Sequence, residues 1–382
     1  MQRKHYDEDQ LAFADAVRTF IGKEISPHYL AWEEAGLTPR ELFTAAGANG
    51  FLGLQVPEQF GGGGTSDFRF NQVLGEELAM AGLGGAALGI TLHNDICLPY
   101  FLHATTDEQK QRWLPGIAAG ELITAVAMTE PGAGSDLAGI RTTGVADGTD
   151  LIINGAKTFI TNGINSDLVI TAVRTSPDKH RGLTLVILER GMAGFERGRN
   201  LDKLGQHSQD TAELSFTDVR VPKENILGEV GGGFLGLVSN LPQERLSIAI
   251  GAVASARAAL NWTIDYVRER KAFGNPLGAL QNTKFVLAEV ATEVDIAQAY
   301  IDRCVLALNE GDLTVEDAAK AKWWGTELQG RAIDKCLQLH GGYGFMMEYP
   351  IARAYADARV TRIYGGATEI MKEIIGRSLK LS

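Results

Sequence analysis

The chain has 382 residues, 45% of them hydrophobic and 22% charged, with a formal net charge of -11. That length allows two or three domains with ample apolar burial. The acidic balance argues against nucleic acid or an anionic membrane surface as the main partner. Cys97, Cys304 and Cys336 are too few and too scattered for a disulfide framework or a metal site, which fits a reducing compartment. The first residues carry no apolar core of the kind a secretory leader needs. The most apolar segment, Leu78 to Leu92, is broken by glycines and shorter than the about 20 residues that span a bilayer. A cytoplasmic protein is expected, with no membrane part.

From Asp9 to Gly120 the pattern is helical. Phe13, Val17, Phe20, Ile21 and Ile25 fall on one face, with acids in the first turn and Pro27 beyond the end. Thr38 to Ala46 predicts a second helix: Thr38 and Glu41 have capping-box spacing, and Pro39 suits the first helical position. Gly61 to Gly64 predict an irregular loop. Asp67 to Met80, Leu83 to Leu92 and Asp107 to Ile117 predict further helices.

Around Leu122 the apolar period changes from 3.6 to 2. Leu151 to Ile153, Leu168 to Val173, Leu183 to Leu188 and Ala212 to Phe216 are short strand-like runs separated by turn residues. No helix-length segment lies between them, so the sheet is expected to be antiparallel. Gly231 to Gly233 predict a hinge. Beyond it, Val253, Ala256, Leu260, Ile264 and Val267 form one helical stripe, and Leu287 to Leu308 carry a longer one. Thr314 to Asp334 and Met347 to Arg359 complete the helical set. The expected architecture is α+β: an N-terminal all-α helical domain over 1–121, a middle antiparallel β domain over 122–230, and a C-terminal four-helix bundle over 231–382.

The most chemically loaded stretch is Ala127 to Asp136, AMTEPGAGSD. Gly132 and Gly134 allow positive φ and close approach of a ligand to the main chain. Thr129 and Ser135 offer hydroxyls. An ordinary strand-to-loop turn is an equal reading from composition alone. A dinucleotide-binding glycine loop fits worse, because Leu137 stands where a third glycine belongs and no helix-forming run follows. No His/Cys/Asp cluster has metal-ligand spacing, and no serine sits in a nucleophile elbow.

This decapeptide resembles the flavin-binding loop of the acyl-CoA dehydrogenases. Lys157 to Gly163, Arg270 to Gly274, Gln338 to Gly344 and Ile363 to Gly366 resemble further blocks of that family, in family order and over nearly the whole chain. The resemblance implies non-covalent FAD and α,β-dehydrogenation of a fatty acyl thioester, acyl-CoA to trans-2-enoyl-CoA. It further implies a homotetramer and an electron-transferring flavoprotein as acceptor. By similarity, Val126, Ala127, Met128, Thr129, Gly134 and Ser135 border the flavin, with Phe159, Ile160 and Thr161 on its other side. Arg270, Phe273 and Gln281 would reach the distal part of FAD from a neighbouring subunit. Gln338, Leu339, Gly341, Gly342, Thr368 and Glu369 would complete the cofactor site. Ser135, His180, Arg181, Leu235, Pro242, Gln243, Arg245, Tyr364 and Gly366 are the substrate-side expectations.

The catalytic pair departs from the commoner pattern. Many relatives carry a glutamate after the tyrosine of the closing block, whereas here Tyr364 is followed by Gly365 and Gly366. The Gly365 N–H would hold the thioester carbonyl. The base would be Glu244, in Leu241 to Leu246, as in the long-chain branch that this chain most resembles. Taken alone, Glu244 reads more readily as a first-turn helix acid behind Pro242, and it is the vacant position at Gly365 that favours the base. Alternatives to acyl-CoA dehydrogenation are the same reaction on an acyl-carrier-protein thioester, a related flavin oxidase or monooxygenase, and a silent flavin-binding scaffold.

Overall fold

A computed structural model describes residues 3–178 and 181–381. The N-terminal part is built from α1 (Glu8–Phe20), α2 (Tyr29–Ala35), α3 (Glu41–Ala48), α4 (Arg69–Met80), α5 (Gly84–Thr91), α6 (Leu98–His103) and α7 (Asp107–Ala118). Asp7 caps α1 in a reciprocal box with Gln10. Two π-helical turns continue these helices: Ile21–Ile25 after α1 stays within the expected span, and Leu92–Cys97 carries the chain from α5 into α6, past the expected end at Leu92. The expected capping box of α3 does not form. The Thr38 hydroxyl instead donates to Ser208 O at 2.9 Å, tying this segment to the sheet region.

The middle part is a sheet with the order β6-β7-β3-β2-β4-β5-β8. Its strands are β1 (Thr124–Ala127), β2 (Thr143–Asp147), β3 (Asp150–Thr161), β4 (Leu168–Arg174), β5 (Leu183–Glu189), β6 (Phe195–Asn200), β7 (Thr211–Val221) and β8 (Ile226–Leu227). Pairing is antiparallel except that β1 lies parallel to β4, and β2 meets β4 in one parallel pair. The antiparallel expectation is thus corrected at β1. The long excursion through the loop after β1 and the β2–β3 hairpin brings the chain back beside its start in the same direction. β4 is covered on both faces. Leu168, Ile170 and Ala172 face a core shared with α6 and α7, while Val169 and Val173 face one shared with β3 and β7.

The C-terminal part is α8 (Gly233–Glu269), α9 (Gln281–Glu310), α10 (Val315–His340), α11 (Pro350–Ala358) and α12 (Thr368–Ser378), with a small hairpin, Lys271–Ala272 and Asn275–Pro276, before α9. Leu246, Val253, Leu260, Val294, Ile301, Leu328 and Ile333 form its core. The expected hinge at Gly231 to Gly233 is pinned instead. Gly231 N–H donates to Thr184 Oγ1 at 2.9 Å, and Gly232 bridges to Leu183. Among the described residues, no helix is long and apolar enough to cross a membrane.

Helix-to-helix closeness in the N-terminal part rests on Gly47 in α3. A Cβ there would lie 2.3 Å from Ala119 O, a backbone atom that cannot swing away. Alanine inside a helix normally gains up to about 1 kcal/mol over glycine. At Gly47 the sign should reverse, with a loss of about 1–3 kcal/mol from overpacking. Thermal unfolding of Gly47→Ala checks this, and a melting temperature at or above wild type would disprove the packing argument.

Candidate active site

Three sets of residues named by the sequence are each organised around a buried polar group. The first is the loop after β1. Glu130 N–H donates to Ala133 O at 2.8 Å and Ala133 N–H returns to Glu130 O at 3.1 Å, so Pro131 and Gly132 form a closed reverse turn. The turn is held from beneath by Lys157, which donates to Glu130 Oε1 at 2.8 Å and to Met128 O at 3.0 Å. Glu130 also accepts the N–H groups of Arg141 and Thr142. Burial works to raise the Glu130 carboxyl, but these partners outweigh it and leave it below its ordinary value. Burial pushes Lys157 down to about 8 despite Glu130, so both stay charged near neutral pH. No local spacing links residues 27 positions apart, so no sequence signal marks this pair.

Gly132 and Gly134 do not take the positive φ expected of them. Their use is space: no atom lies within 4 Å of where a Cβ would stand at either. On the other side, Thr158 N–H donates to Thr129 O at 2.9 Å, which docks β3 against the loop. The β3–β7 register slips between Lys157 and Ile160, and within that bulge Phe159 has φ +60° and is 67% exposed. A bulge beside a site commonly re-aims a side chain in this way. Ile160 is buried, and Thr161 is partly exposed. An exposed aromatic face, open backbone and the hydroxyls of Thr129, Ser135 and Thr161 fit a planar polar ring system.

The second set gathers at one end of the helical bundle. The Arg270 guanidinium lies over the Tyr343 ring at 5.4 Å, joining the Arg270 block to the segment after α10. Arg270 does not pair with Asp265, which is held by Arg268 at 3.3 Å. Phe273 is 95% exposed, and Gln281, Gln338, Gly341 and Gly342 are also exposed. Leu339 is partly covered. His340 between them is structural: its ring stacks on Tyr266 at 4.3 Å, and Nδ1 meets Cys336 O at 3.0 Å.

The third set surrounds Glu244. Pro242 is not at a helix start, because α8 begins at Gly233 and runs through it. A proline is tolerated there since the carbonyl it leaves unpaired, that of Val238, belongs to an exposed residue. Glu244 is therefore three turns inside α8, beyond the reach of the terminal dipole. Its carboxyl is 3% exposed and accepts a hydrogen bond from Tyr100 Oη at 3.0 Å. Burial pushes it up to about 7, against the Tyr100 bond and the Arg245 charge. Tyr100, 144 residues away on α6, has no sequence signal.

Beside Glu244 runs the turn between Ile363 and α12. Gly365 has φ +62°, and a Cβ there would stand 2.3 Å from Ile248 Cδ1, one helical turn beyond Glu244. Arg245 Nε approaches Gly365 O at 3.5 Å, and Lys322 Nζ donates to Gly366 O at 2.6 Å. Burial, then the neighbouring Arg245 charge, lowers Lys322 to about 8. Two buried cations thus hold this turn. The Thr368 hydroxyl is committed to Glu327 at 2.9 Å, Glu369 is exposed, and Gln243 is turned away to Asp95 O at 2.8 Å. Arg181 and Leu235, 72% exposed, lie near the pinned Gly231 segment, and His180 lies outside the described residues.

Ile248 and Tyr364 line an elongated cavity of about 100 Å³ between α4, α5 and α8. Its α8 wall runs from Ser247 to Trp262, roughly 22 Å of helix at 1.5 Å per residue. Gly75, Ala79, Gly84 and Ala87 face it from the other side, together with Gly251 and Ser255 of α8. Leu88 and Thr91 of α5 also line it, whereas Leu235 to Leu241 do not. Asp357, pushed up by burial to about 7, Gln206 and Thr361 form a polar border that sequence reasoning missed.

This geometry agrees with the comparisons. Family models for the N-terminal, middle and C-terminal domains of acyl-CoA dehydrogenase match residues 7–121, 125–219 and 231–380. The mitochondrial long-chain specific acyl-CoA dehydrogenase of Sus scrofa is 44% identical over 99% of this chain and 88% of its own length. The crystal structure of an acyl-CoA dehydrogenase from Geobacillus kaustophilus superposes with a TM-score of 0.97 at 48% identity, covering 100% of both chains. A glutaryl-CoA dehydrogenase from Mycobacterium smegmatis, solved in complex with FADH2, gives 0.93 at 27% identity over 99% of this chain and 96% of its own. The chain belongs to the acyl-CoA dehydrogenase family. It is an FAD-dependent oxidoreductase.

The Glu244 environment has a consequence for stability. Its folded value of about 7 exceeds the ordinary 4.5, so the folded state binds the proton more tightly than the unfolded chain. Stability is lost as pH rises between those values and stays reduced above them. Glu244→Gln removes the charge and keeps an acceptor for Tyr100. The variant should match wild type near pH 5 and exceed it near pH 8 by at most about 3 kcal/mol. Melting curves of the two proteins at both pH values measure the difference, and a pH-independent offset would contradict it.

Proposed function

We propose that this protein oxidises a long-chain fatty acyl-CoA to the trans-2-enoyl-CoA, with Glu244 as the base that takes the α-proton. The observation that carries this reading is a buried carboxyl, poised near neutral pH, one helical turn from the residue that opens a long cavity. A working base needs a proton affinity near the operating pH, which an exposed glutamate lacks. In this reading the thioester carbonyl accepts from the Gly365 N–H, a donor of the kind that contributes about 3–4 kcal/mol to a developing enolate. Arg245 and Lys322 hold the turn that presents it. Bound FAD supplies the acceptor for the β-hydrogen.

Chain length follows from two glycines. Gly251 and Gly75 sit inside helices, where glycine costs about 1 kcal/mol relative to alanine. No atom lies within 4 Å of a Cβ built at Gly251, and one at Gly75 would meet only ordinary contacts. Helix packing does not require either glycine, and both face the cavity, so the space they leave suits an extended acyl chain.

The remaining assignments rest on family resemblance. Arg270, Phe273 and Gln281 serve a neighbouring subunit's FAD in a homotetramer, joined there by Gln338 to Gly342. The exposed Phe273, Phe285 and Phe345 give that association apolar surface to bury. An electron-transferring flavoprotein takes the electrons, and the compartment is the reducing cytoplasm. Domain limits at 121 and 230 complete the proposal.

Anaerobic bleaching of the flavin by a panel of acyl-CoA thioesters is the direct test. Wild type should bleach fastest with long straight chains. Glu244→Gln should bleach about 10²- to 10⁴-fold more slowly while retaining FAD. Bleaching at the wild-type rate would remove Glu244 from the reaction. Gly251→Leu should keep FAD and stability but lower the preference for long over short chains at least about tenfold. An unchanged preference would mean that the chain lies elsewhere.

A further inference from the structure

We infer that Tyr100, itself oriented by Asn240, is a positioning residue for the proton transfer: its hydroxyl occupies one oxygen of Glu244 and leaves the other to face the acyl chain. This rests on the proposal that Glu244 is the base. Tyr100 stands on α6, 1% exposed, with its Oη 3.0 Å from Glu244 Oε1. Asn240 and Glu244 are four residues apart on α8, so both side chains lie on one helix face. The Asn240 side chain also acts on the Tyr100 phenol as a donor, lowering its proton affinity.

Proton counting fixes the direction of this chain. A phenol has one proton to donate. Glu244, when ionised, can only accept, so the Tyr100 proton points to it and the Tyr100 oxygen accepts from the Asn240 NH₂. Burial and the Glu244 charge raise the Tyr100 phenol well above its ordinary range, so it remains a donor and never competes as a base. The ring cannot swing away either. Tyr100 lies in a core with Phe101, Trp113 and Leu237, bordered by Val126 and Met128 of the flavin loop. One carboxylate oxygen is therefore held from the flavin side of the core.

The same bond tunes the base. The charged and titratable groups around Glu244 are Tyr100 on α6, Cys97 on the π-helical turn before it, Arg245 on α8 and, beyond Arg245, Lys322 on α10. Burial raises Glu244, while Tyr100 and Arg245 oppose it. Loss of the Tyr100 hydroxyl leaves burial less opposed, so ionisation should move to higher pH. A hydrogen bond to a charged group of this kind corresponds to about one to two pH units.

The test is the rate of flavin reduction by a long-chain acyl-CoA, measured anaerobically across neutral pH in the FAD-loaded enzyme. Tyr100→Phe should move the acid limb of the profile upward by about one to two units and lower the plateau at high pH. Asn240→Ala should move the limb in the same direction by less, since a phenol that no longer accepts is a weaker donor. Purely structural damage would lower the rate at every pH without moving the limb. Two failures are distinguishable. If Glu244→Gln reduces flavin at the wild-type rate, the base assignment falls. If Glu244→Gln is slow but Tyr100→Phe keeps the wild-type limb, only the positioning role falls. Should Tyr100→Phe lose its flavin or fold, the limb of Asn240→Ala decides alone: shifted supports the inference, and unshifted overturns it.

Discussion

A carboxyl group without water is the constraint around which this molecule is arranged. Glu244 sits where α6, α8 and the turn at Gly365 meet, and burial opposes its charge. Few partners are available to answer that opposition. Tyr100 gives one hydrogen bond and Arg245 a nearby charge, and Arg245 is itself lowered by burial. A stronger clamp, such as a bidentate arginine, would hold the carboxyl ionised and too weakly basic for an α-proton. No clamp at all would leave it neutral. The observed partners put it between these limits.

Two buried polar anchors divide the labour. Lys157 and Glu130 form a pair whose partners are nearly all saturated, and it fixes the loop after β1 that is proposed to border the flavin. Breaking such a pair leaves one buried charge uncompensated, at a cost of about 3–5 kcal/mol. Glu244 and Tyr100 are less saturated and correspondingly more responsive. In the proposed reading, rigidity is invested where a planar cofactor is received, and proton affinity is left adjustable where a proton moves. The core containing Tyr100, Val126 and Met128 connects the two, so neither site is positioned independently of the other.

Much of the fold was legible because its signal is periodic. The stripes of α8 and α9 read directly as bundle helices, and the change of period near Leu122 marked the sheet. β6 escaped notice because most of its residues are exposed and its sequence, FERGRN, is charged. α6 escaped because a π-helical turn shifts the apolar face before it begins. Pro242 misleads about the place of Glu244 for a physical reason: proline suits a first helical turn, but it also survives inside a helix where the freed carbonyl is near solvent. At the site, the loop and strand blocks were legible through family resemblance. Tyr100, Glu130, Lys322 and Asp357 were not, because each acts on a partner far away in the chain and no spacing reports such a meeting.

The position of the proposed base also bears on the glycine at 365. Glu244 and Ile248 are one turn apart on the same face of α8, and Ile248 reaches to where a side chain at 365 would begin. With Gly365 at φ +62°, a bulkier residue there meets both backbone strain and the Ile248 methyl. A side chain in the closing block and Ile248 therefore compete for one volume. The closing-block arrangement needs that volume open. The arrangement here fills it with Ile248 and delivers a carboxyl from the helix beside it. The glycine at 365 and the carboxyl proposed as base are thus linked through Ile248, which stands one turn from Glu244 and against Gly365.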